Sequence, residues 1–214
     1  MRKSIYCTNE SPVYISDYMG GKMEGIPAIS TSCKLNPYCA ARAKDPNGIC
    51  YYCYAQKTLN CRKSTAENVA ENNAVLAEVL PLEVLPRFKK TVSIVRFEAF
   101  GDLFNEAQAI NYFNIAAVNP HVHFALWTKN KGIYRRAVEA YGGKPENLMA
   151  VYSASKVNEP EPLPPYFDKV FTVWTDENTC NADGFEINCG ARACGECGEC
   201  YLDDLIAAVN ELLK

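Results

Sequence analysis

The residues best equipped for chemistry in this chain are cysteines, and they fall into two blocks. Cys33, Cys39, Cys50, Cys53 and Cys61 form the first, and Cys180, Cys189, Cys194, Cys197 and Cys200 form the second; only Cys7 stands apart. Cysteine used as a small core hydrophobe would not empty the middle of a chain while crowding both flanks. The clustering points to two metal sites. In the first block, Cys50-Tyr51-Tyr52-Cys53 is a C-x2-C pair. That spacing turns both thiolates onto one object, and Cys39 or Cys33 can add a third ligand through the intervening loop. Structural zinc and an iron–sulfur cluster with three protein ligands both suit the pattern. In the second block, Cys194, Cys197 and Cys200 follow one another at C-x2-C spacing, with Cys189 four intervening residues earlier. Zinc sites usually combine two well-separated pairs, whereas a tight triple is closer to a ferredoxin cluster loop, although the proline after the last cysteine is missing. Here iron–sulfur is favoured over zinc, and Gly195 and Gly198 let the backbone wrap closely around a compact object.

The cellular setting bears on those thiols. The opening residues carry Arg2 and Lys3 and then turn polar, unlike a secretory leader, and no later stretch is apolar for long enough to cross a bilayer. The expectation is a soluble, cytoplasmic protein without a membrane partner. In a reducing compartment disulfides are rare, and the odd total of 11 cysteines leaves at least one outside any complete pairing. Twenty-two basic and 25 acidic residues give a net charge of -3 with the signs mixed along the chain, so bulk charge lends no support to a nucleic-acid partner.

At 214 residues and 48% hydrophobic, the chain can bury one sizeable core. A single domain over 1–214 is expected, with a core at 26–178 followed by a cysteine-rich segment and closing helix at 179–214. The cysteine-free middle alternates. Ser64-Thr65-Ala66-Glu67 has the capping-box pattern, with Val69, Leu76, Val79 and Leu80 after it at helical spacing until Pro81. Residues 91–97 read as a buried strand, 105–118 as an amphipathic helix, 121–127 as a strand, 132–141 as a helix, and 148–152 and 169–174 as strands. Another strand precedes them at 26–31, the proline-rich link at 159–165 predicts an irregular crossover, and 202–213 reads as an amphipathic helix. Strands alternating with helices imply right-handed βαβ units and a parallel sheet, here an α/β partial parallel (β/α) barrel.

In such a sheet the working face lies at the carboxyl ends of the strands. Those ends carry Arg96, Glu98, Gly101 and Asp102, then Trp127, Thr128, Lys129 and Asn130, then Ser153 and Ser155. Asp102 and Glu98 either line a pocket or, for Asp102, cap the helix near Asn105. Lys129 and Lys131 either clasp an anion or are simply solvated. Tyr51, Tyr52 and Tyr54 either shield a cluster or pack as ordinary aromatics. His121 and His123 share a strand face but belong to the opposite end of the sheet and are set aside.

Three segments carry a family resemblance: NPYCAARAKDPNGICYYCYA at 36–55, VRFEAFGDLFNEAQAINYFNIAAVNPHVHFALWTKN at 95–130 and INCGARACGECGECY at 187–201. In combination, C-Y-A after a cysteine cluster, G-D-L-F and W-T-K-N make the chain resemble the bacteriophage and prophage family called gene product 88. The resemblance implies a radical-SAM-like barrel with iron–sulfur cysteines. Cys39, Cys50 and Cys53 would be the ligands of a first [4Fe-4S] cluster, and Cys189, Cys194, Cys197 and Cys200 those of a second. Arg96, Glu98, Gly101, Asp102, Trp127, Lys129 and Asn130 would lie where such barrels contact S-adenosylmethionine. An open iron would bind that cofactor for radical chemistry on a small or macromolecular substrate that the family leaves unspecified. One departure stands out: radical SAM enzymes space their ligands C-x3-C-x2-C, whereas ten residues lie between Cys39 and Cys50 here. The rival reading is a non-enzymatic module stapled by two zinc ions that binds a nucleic-acid or protein partner.

Overall fold

The computed structural model describes residues 1–190, 192–202 and 206–213. A short antiparallel pair, β1 (Arg2–Lys3) and β2 (Glu10–Ser11), precedes the main sheet. The sheet then forms from β3 (Ala28–Ile29), β4 (Ile94–Phe97), β5 (His123–Thr128), β6 (Leu148–Val157), β7 (Lys169–Trp174) and β8 (Ala208–Leu212). Its order is β3-β4-β5-β6-β7-β8, and every neighbouring pair is parallel. Parallel neighbours in chain order need a crossover each, which gathers all six carboxyl ends on one edge. Between β3 and β4 lie α1 (Pro37–Arg42), α2 (Tyr54–Cys61) and α3 (Lys63–Val75). The next two crossovers are α4 (Glu106–Ala117) and α5 (Lys131–Tyr141). Between β6 and β7 the proline-rich link holds no helix, as its composition predicts, and α6 (Glu177–Ala182) and α7 (Cys194–Cys197) precede β8.

Helix starts at the carboxyl edge share one device. Asn36, Asn105, Asn130 and Asp176 each stand at the N-cap with a side-chain oxygen accepting a backbone N–H of the first turn, so each helix leaves its strand at a fixed place. The Ser64 capping box is not used. Arg62 is the N-cap of α3 without a side-chain bond, because α2 runs almost directly into α3 and places Ser64 inside the helix; α3 then ends at Val75, short of Pro81.

The expected closing helix is a strand. Residues 203–205 lie outside the described residues, but Ala208–Leu212 pairs in parallel with Lys169–Trp174. Leu202, Ile206, Val209 and Leu213 do recur at helical spacing, yet β7 has a free edge, and six backbone-paired strands satisfy more polar groups than a helix laid beside an open one. Buried Asn210 fixes the register: its side chain accepts from Trp174 Nε1 at 2.9 Å and donates to the Glu186 carbonyl at 3.1 Å.

Period-two alternation gives the sheet two different faces. On one, Val95, Phe97, Phe124, Leu126, Leu148, Ala150 and Tyr152 meet Tyr112 and Phe113 of α4 and Tyr134, Ala137 and Val138 of α5. Phe97 stacks between Tyr112 and Phe124 at centroid distances of 4.3 and 5.0 Å, an arrangement that adds to the burial energy. The opposite face carries Arg96, Ala125, Trp127, Met149, Val151, Phe171 and Val209, and among the described residues no helix of α4–α5 type covers it. Instead Tyr201 with Cys194 and Cys200 packs on Ala125 and Met149, and Cys189 with Cys200 packs beside Val151, Phe171 and Val209.

Candidate metal centres

The first block gathers at the carboxyl end of β3. The segment after Ile29 runs buried through Cys33, whose N–H donates to the Phe100 carbonyl at 3.2 Å, and the loop then caps α1 through Asn36. Cys39 sits in α1, Cys50 in the 3-10 turn Ile49–Tyr52, and Cys53 is the N-cap of α2. Cys39 and Cys53 pack against the buried group that contains Cys33, Ala55, Leu59 and Ala99. Cys33 and the α2 N–H groups of Gln56 and Ala55 hold the Cys53 thiol low, while Cys53 and burial push the Cys33 thiol far up. Burial raises Cys39 and Cys50, each of which also feels the field of Cys53. Lys129 lowers both Cys50 and Cys53, and Arg42 lowers Cys50. These thiols thus lie within electrostatic reach of neighbouring thiols and of Lys129 and Arg42.

The second block repeats the plan on the open face of the sheet. Cys189 bridges to β8 at Glu211, and Cys194 to Cys197 form the single turn α7, which ends on Gly198 in the left-handed region (φ 69°), a conformation glycine adopts without strain. The reversal returns Cys200 to the sheet. Cys200, pushed up to about 12 by burial, feels Cys189, Cys194 and Cys197. Two cations attend this set as well: Arg96, which lowers Cys194 and Cys200, and Lys22, whose Nζ lies 3.7 Å from Cys189 Sγ and pairs with Glu211. The Arg96 guanidinium stacks over Trp127 at 4.0 Å, and the buried Trp127 Nε1 has no hydrogen-bond partner.

The remaining cysteines lie apart. Cys7 belongs to the helix-side core, Cys61 is exposed at the end of α2, and Cys180 is buried in α6 with acidic rather than thiol neighbours. Cys33 was one of two candidates for a third ligand in the sequence; the structure keeps it and Cys39 together. Among the described residues, no three His, Cys, Asp or Glu side chains converge to the spacing of a single bound ion.

The polar strand ends divide. Glu98 adopts φ 59°, which swings its carboxylate off the strand's alternation into the helix side. There it accepts from Tyr112 Oη, from Gln108 Nε2 at 2.6 Å, and from the Thr31 N–H at 3.2 Å and Thr31 Oγ1. Asp102 is buried and accepts from Thr128 Oγ1 and from the N–H groups of Lys129 and Leu103. It does not cap α4, since Asn105 holds that position. Gly101 separates the two carboxylates at a close approach: a Cβ there would lie 2.5 Å from Thr31 Oγ1 and 2.6 Å from the Thr31 carbonyl. Lys129 donates to Ser153 Oγ at 2.6 Å, Arg42 to Ser155 Oγ at 3.2 Å, and Asn130 caps α5. Arg96, Trp127 and Lys129 therefore border the thiols, while Glu98, Gly101, Asp102 and Asn130 shape the loops behind them. Tyr51 and Tyr52 are exposed; the Tyr54 ring is exposed too, but its hydroxyl donates to the Ala99 carbonyl within the field of Cys53 and Cys33, and His121 and His123 stand at the far end of β5.

No helix among the described residues is long and apolar enough to cross a membrane. No curated protein and no solved structure matches the chain. A family model described as gene product 88 does match it, over residues 8–205, and the chain belongs to that phage protein family.

Proposed function

We propose that this protein is a phage or prophage iron–sulfur protein of radical-SAM-like type, with a [4Fe-4S] cluster in the first site and a second cluster at Cys189, Cys194, Cys197 and Cys200. The observation that carries the reading is the gathering of the two cysteine blocks, each within the field of two cations, at and under the carboxyl edge of a parallel sheet with strands in chain order. Positive groups beside buried thiols are what an anionic, thiolate-ligated object requires. The buried Trp127 Nε1, without a hydrogen-bond partner among the described residues, is a donor that would suit an anionic group held beside Arg96.

When bound, a reduced cluster supplies the electron for reductive cleavage of S-adenosylmethionine, the reaction this plan implies. The chain's own contribution is to exclude water around Cys33, to offset negative charge through Lys129 and Arg42, and to wall the sheet face with Arg96 stacked on Trp127. Anaerobic purification followed by iron, zinc and acid-labile sulfide analysis, with S-adenosylmethionine and a reductant added, tests the proposal. A coloured protein containing iron and sulfide is expected. Cys53→Ala should lose the first cluster and cofactor cleavage together, and Cys197→Ala should keep the first cluster. Cleavage unchanged in Cys53→Ala would remove the radical chemistry. A colourless protein with zinc and no sulfide would replace the whole reading by a zinc-stapled module for a nucleic-acid or protein partner.

A further inference from the structure

We propose that the outward face of α2, with the tyrosine-bearing turn ahead of it, is a binding surface for single-stranded nucleic acid. This goes beyond the metal reading and holds whether the cysteines carry iron–sulfur or zinc.

The net charge of -3 hides a local excess of the other sign. Residues 25–66 hold six basic side chains, Lys34, Arg42, Lys44, Lys57, Arg62 and Lys63, and one acidic one, Asp45, whereas the rest of the chain has 16 basic against 24 acidic residues. Asp45 is committed locally, its carboxylate accepting the Asn47 N–H at 3.0 Å. Elsewhere exposed cations commonly find a carboxylate: Arg136 pairs with Glu106, Lys156 with Glu159 and Arg192 with Glu199. Lys44, Lys57 and Arg62 are exposed and have no ion pair among the described residues. A single exposed lysine is ordinarily just solvated, but a run of cations cleared of acid is the footprint that phosphates require.

The fold sets aromatic rings among these cations. Ala55 and Leu59, four apart, are the buried positions of α2 and fix which side faces the core. The opposite side carries Tyr54 and Lys57, three apart, then Asn60 and Cys61, with Arg62 and Lys63 following where α2 runs into α3, and all six are exposed. Eight residues give α2 a length of about 12 Å. Tyr51 and Tyr52 lie in the turn just ahead, 56% and 41% exposed, with ring centroids 5.3 Å apart and planes at 77°. Tyr54 is 60% exposed, and its hydroxyl donates to the Ala99 carbonyl, which holds the ring in place at the surface. Tight turns join this patch to Lys44: the Gly48 N–H donates to the Asp45 carbonyl at 3.0 Å and the Tyr51 N–H to the Gly48 carbonyl at 3.1 Å. Cations alone would accept a duplex or a single strand. Ring faces can stack only on bases that are free of a partner, so the three tyrosines select the single strand.

Fluorescence anisotropy tests this with the full chain, purified anaerobically with its metal, and labelled probes of about 20 nucleotides: oligo(dT), oligo(rU) and a dT·dA duplex. A single strand should bind about tenfold or more tightly than the duplex, and the tighter of the dT and rU probes identifies the strand as DNA or RNA. Between about 50 and about 200 mM salt, Lys57→Gln/Arg62→Gln should flatten the log–log salt dependence by about 1.4, the loss of two phosphate contacts. Lys89→Gln/Lys90→Gln removes two exposed cations ahead of β4, at the amino end of the sheet, and should leave binding unchanged. Tyr51→Leu/Tyr52→Leu should weaken binding about tenfold with the salt dependence intact. The Lys57 and Arg62 changes touch no buried group and keep the test decisive if the tyrosine variant does not fold. Absence of binding at low salt, a duplex bound as tightly as the single strands, or equal weakening by the Lys89 and Lys90 changes would overturn the proposal. So would self-association of the chain that is lost in Tyr51→Leu/Tyr52→Leu without any oligonucleotide binding, which would make this face a contact between copies. Iron and sulfide content is measured separately, so failure here leaves the metal reading standing.

Discussion

Glu98 shows how tightly single residues are committed behind the thiols. Burial lifts its carboxyl from the ordinary value to about 7, and the hydrogen bonds from Tyr112 and Thr31 pull only part of the way back. Relative to the unfolded chain, the fold therefore favours the neutral acid. Between the unfolded value of 4.5 and about 7 the folded chain binds the extra proton, so stability from this group is complete below that window and lost as pH rises through it. The total is about 3 kcal/mol. Glu98→Gln cannot ionise, so its unfolding free energy relative to wild type should improve by about 3 kcal/mol between pH 4 and pH 8 in denaturant titrations. Parallel pH profiles for the two proteins would rule this out. The chemistry of Glu98 was only half legible: its place at a strand's carboxyl end is in the sequence, but the positive φ that turns it away from the open face is not. Cys33 is a similar case, since five residues separate it from Cys39 and only the buried return from β3 brings the two into one packed group.

At the scale of elements, periodicity served well where burial is one-sided and failed where pairing decides. The strand at Lys169–Trp174 and the helices α4 and α5 lie where composition puts them, because their apolar residues face one core and their caps are local. The last strand is set by a partner some 40 residues earlier and offers no local signal. Asn210 is its anchor, and the side chain it satisfies, Trp174, is 0% exposed. Asn210→Ala should leave the indole N–H buried without an acceptor and cost about 1–3 kcal/mol. Asn210→Asp keeps an acceptor for it. Thermal unfolding should rank wild type above Asn210→Asp above Asn210→Ala at neutral pH; an alanine variant as stable as wild type would mean that β8 is held by its backbone pairing alone.

Across the whole molecule, the sheet separates an aromatic and aliphatic core from a face that carries the thiols proposed to hold metal. The α4–α5 side is built from aromatic stacks and aliphatic contacts, and its one cysteine, Cys7, is raised to about 12 by burial and faces no other thiol. The other side has thiols where a hydrophobic layer would be expected: Cys194 and Cys200 touch the sheet directly, and Cys33, Cys39 and Cys53 form part of the packing around β3. A metal that joins four thiolates from separate segments ties those segments together, so its binding free energy is folding free energy for that half alone. Stripping the metal with a chelator under anaerobic, reducing conditions should therefore be a partial event. Amide exchange should rise sharply over residues 30–62 and 186–202, while β4, β5, α4 and α5 stay protected and the far-ultraviolet circular dichroism changes little. Loss of protection in α4 and α5 at the same rate would show one cooperative unit spanning the sheet, and the clusters would then be part of the main core instead of an added layer on its open face.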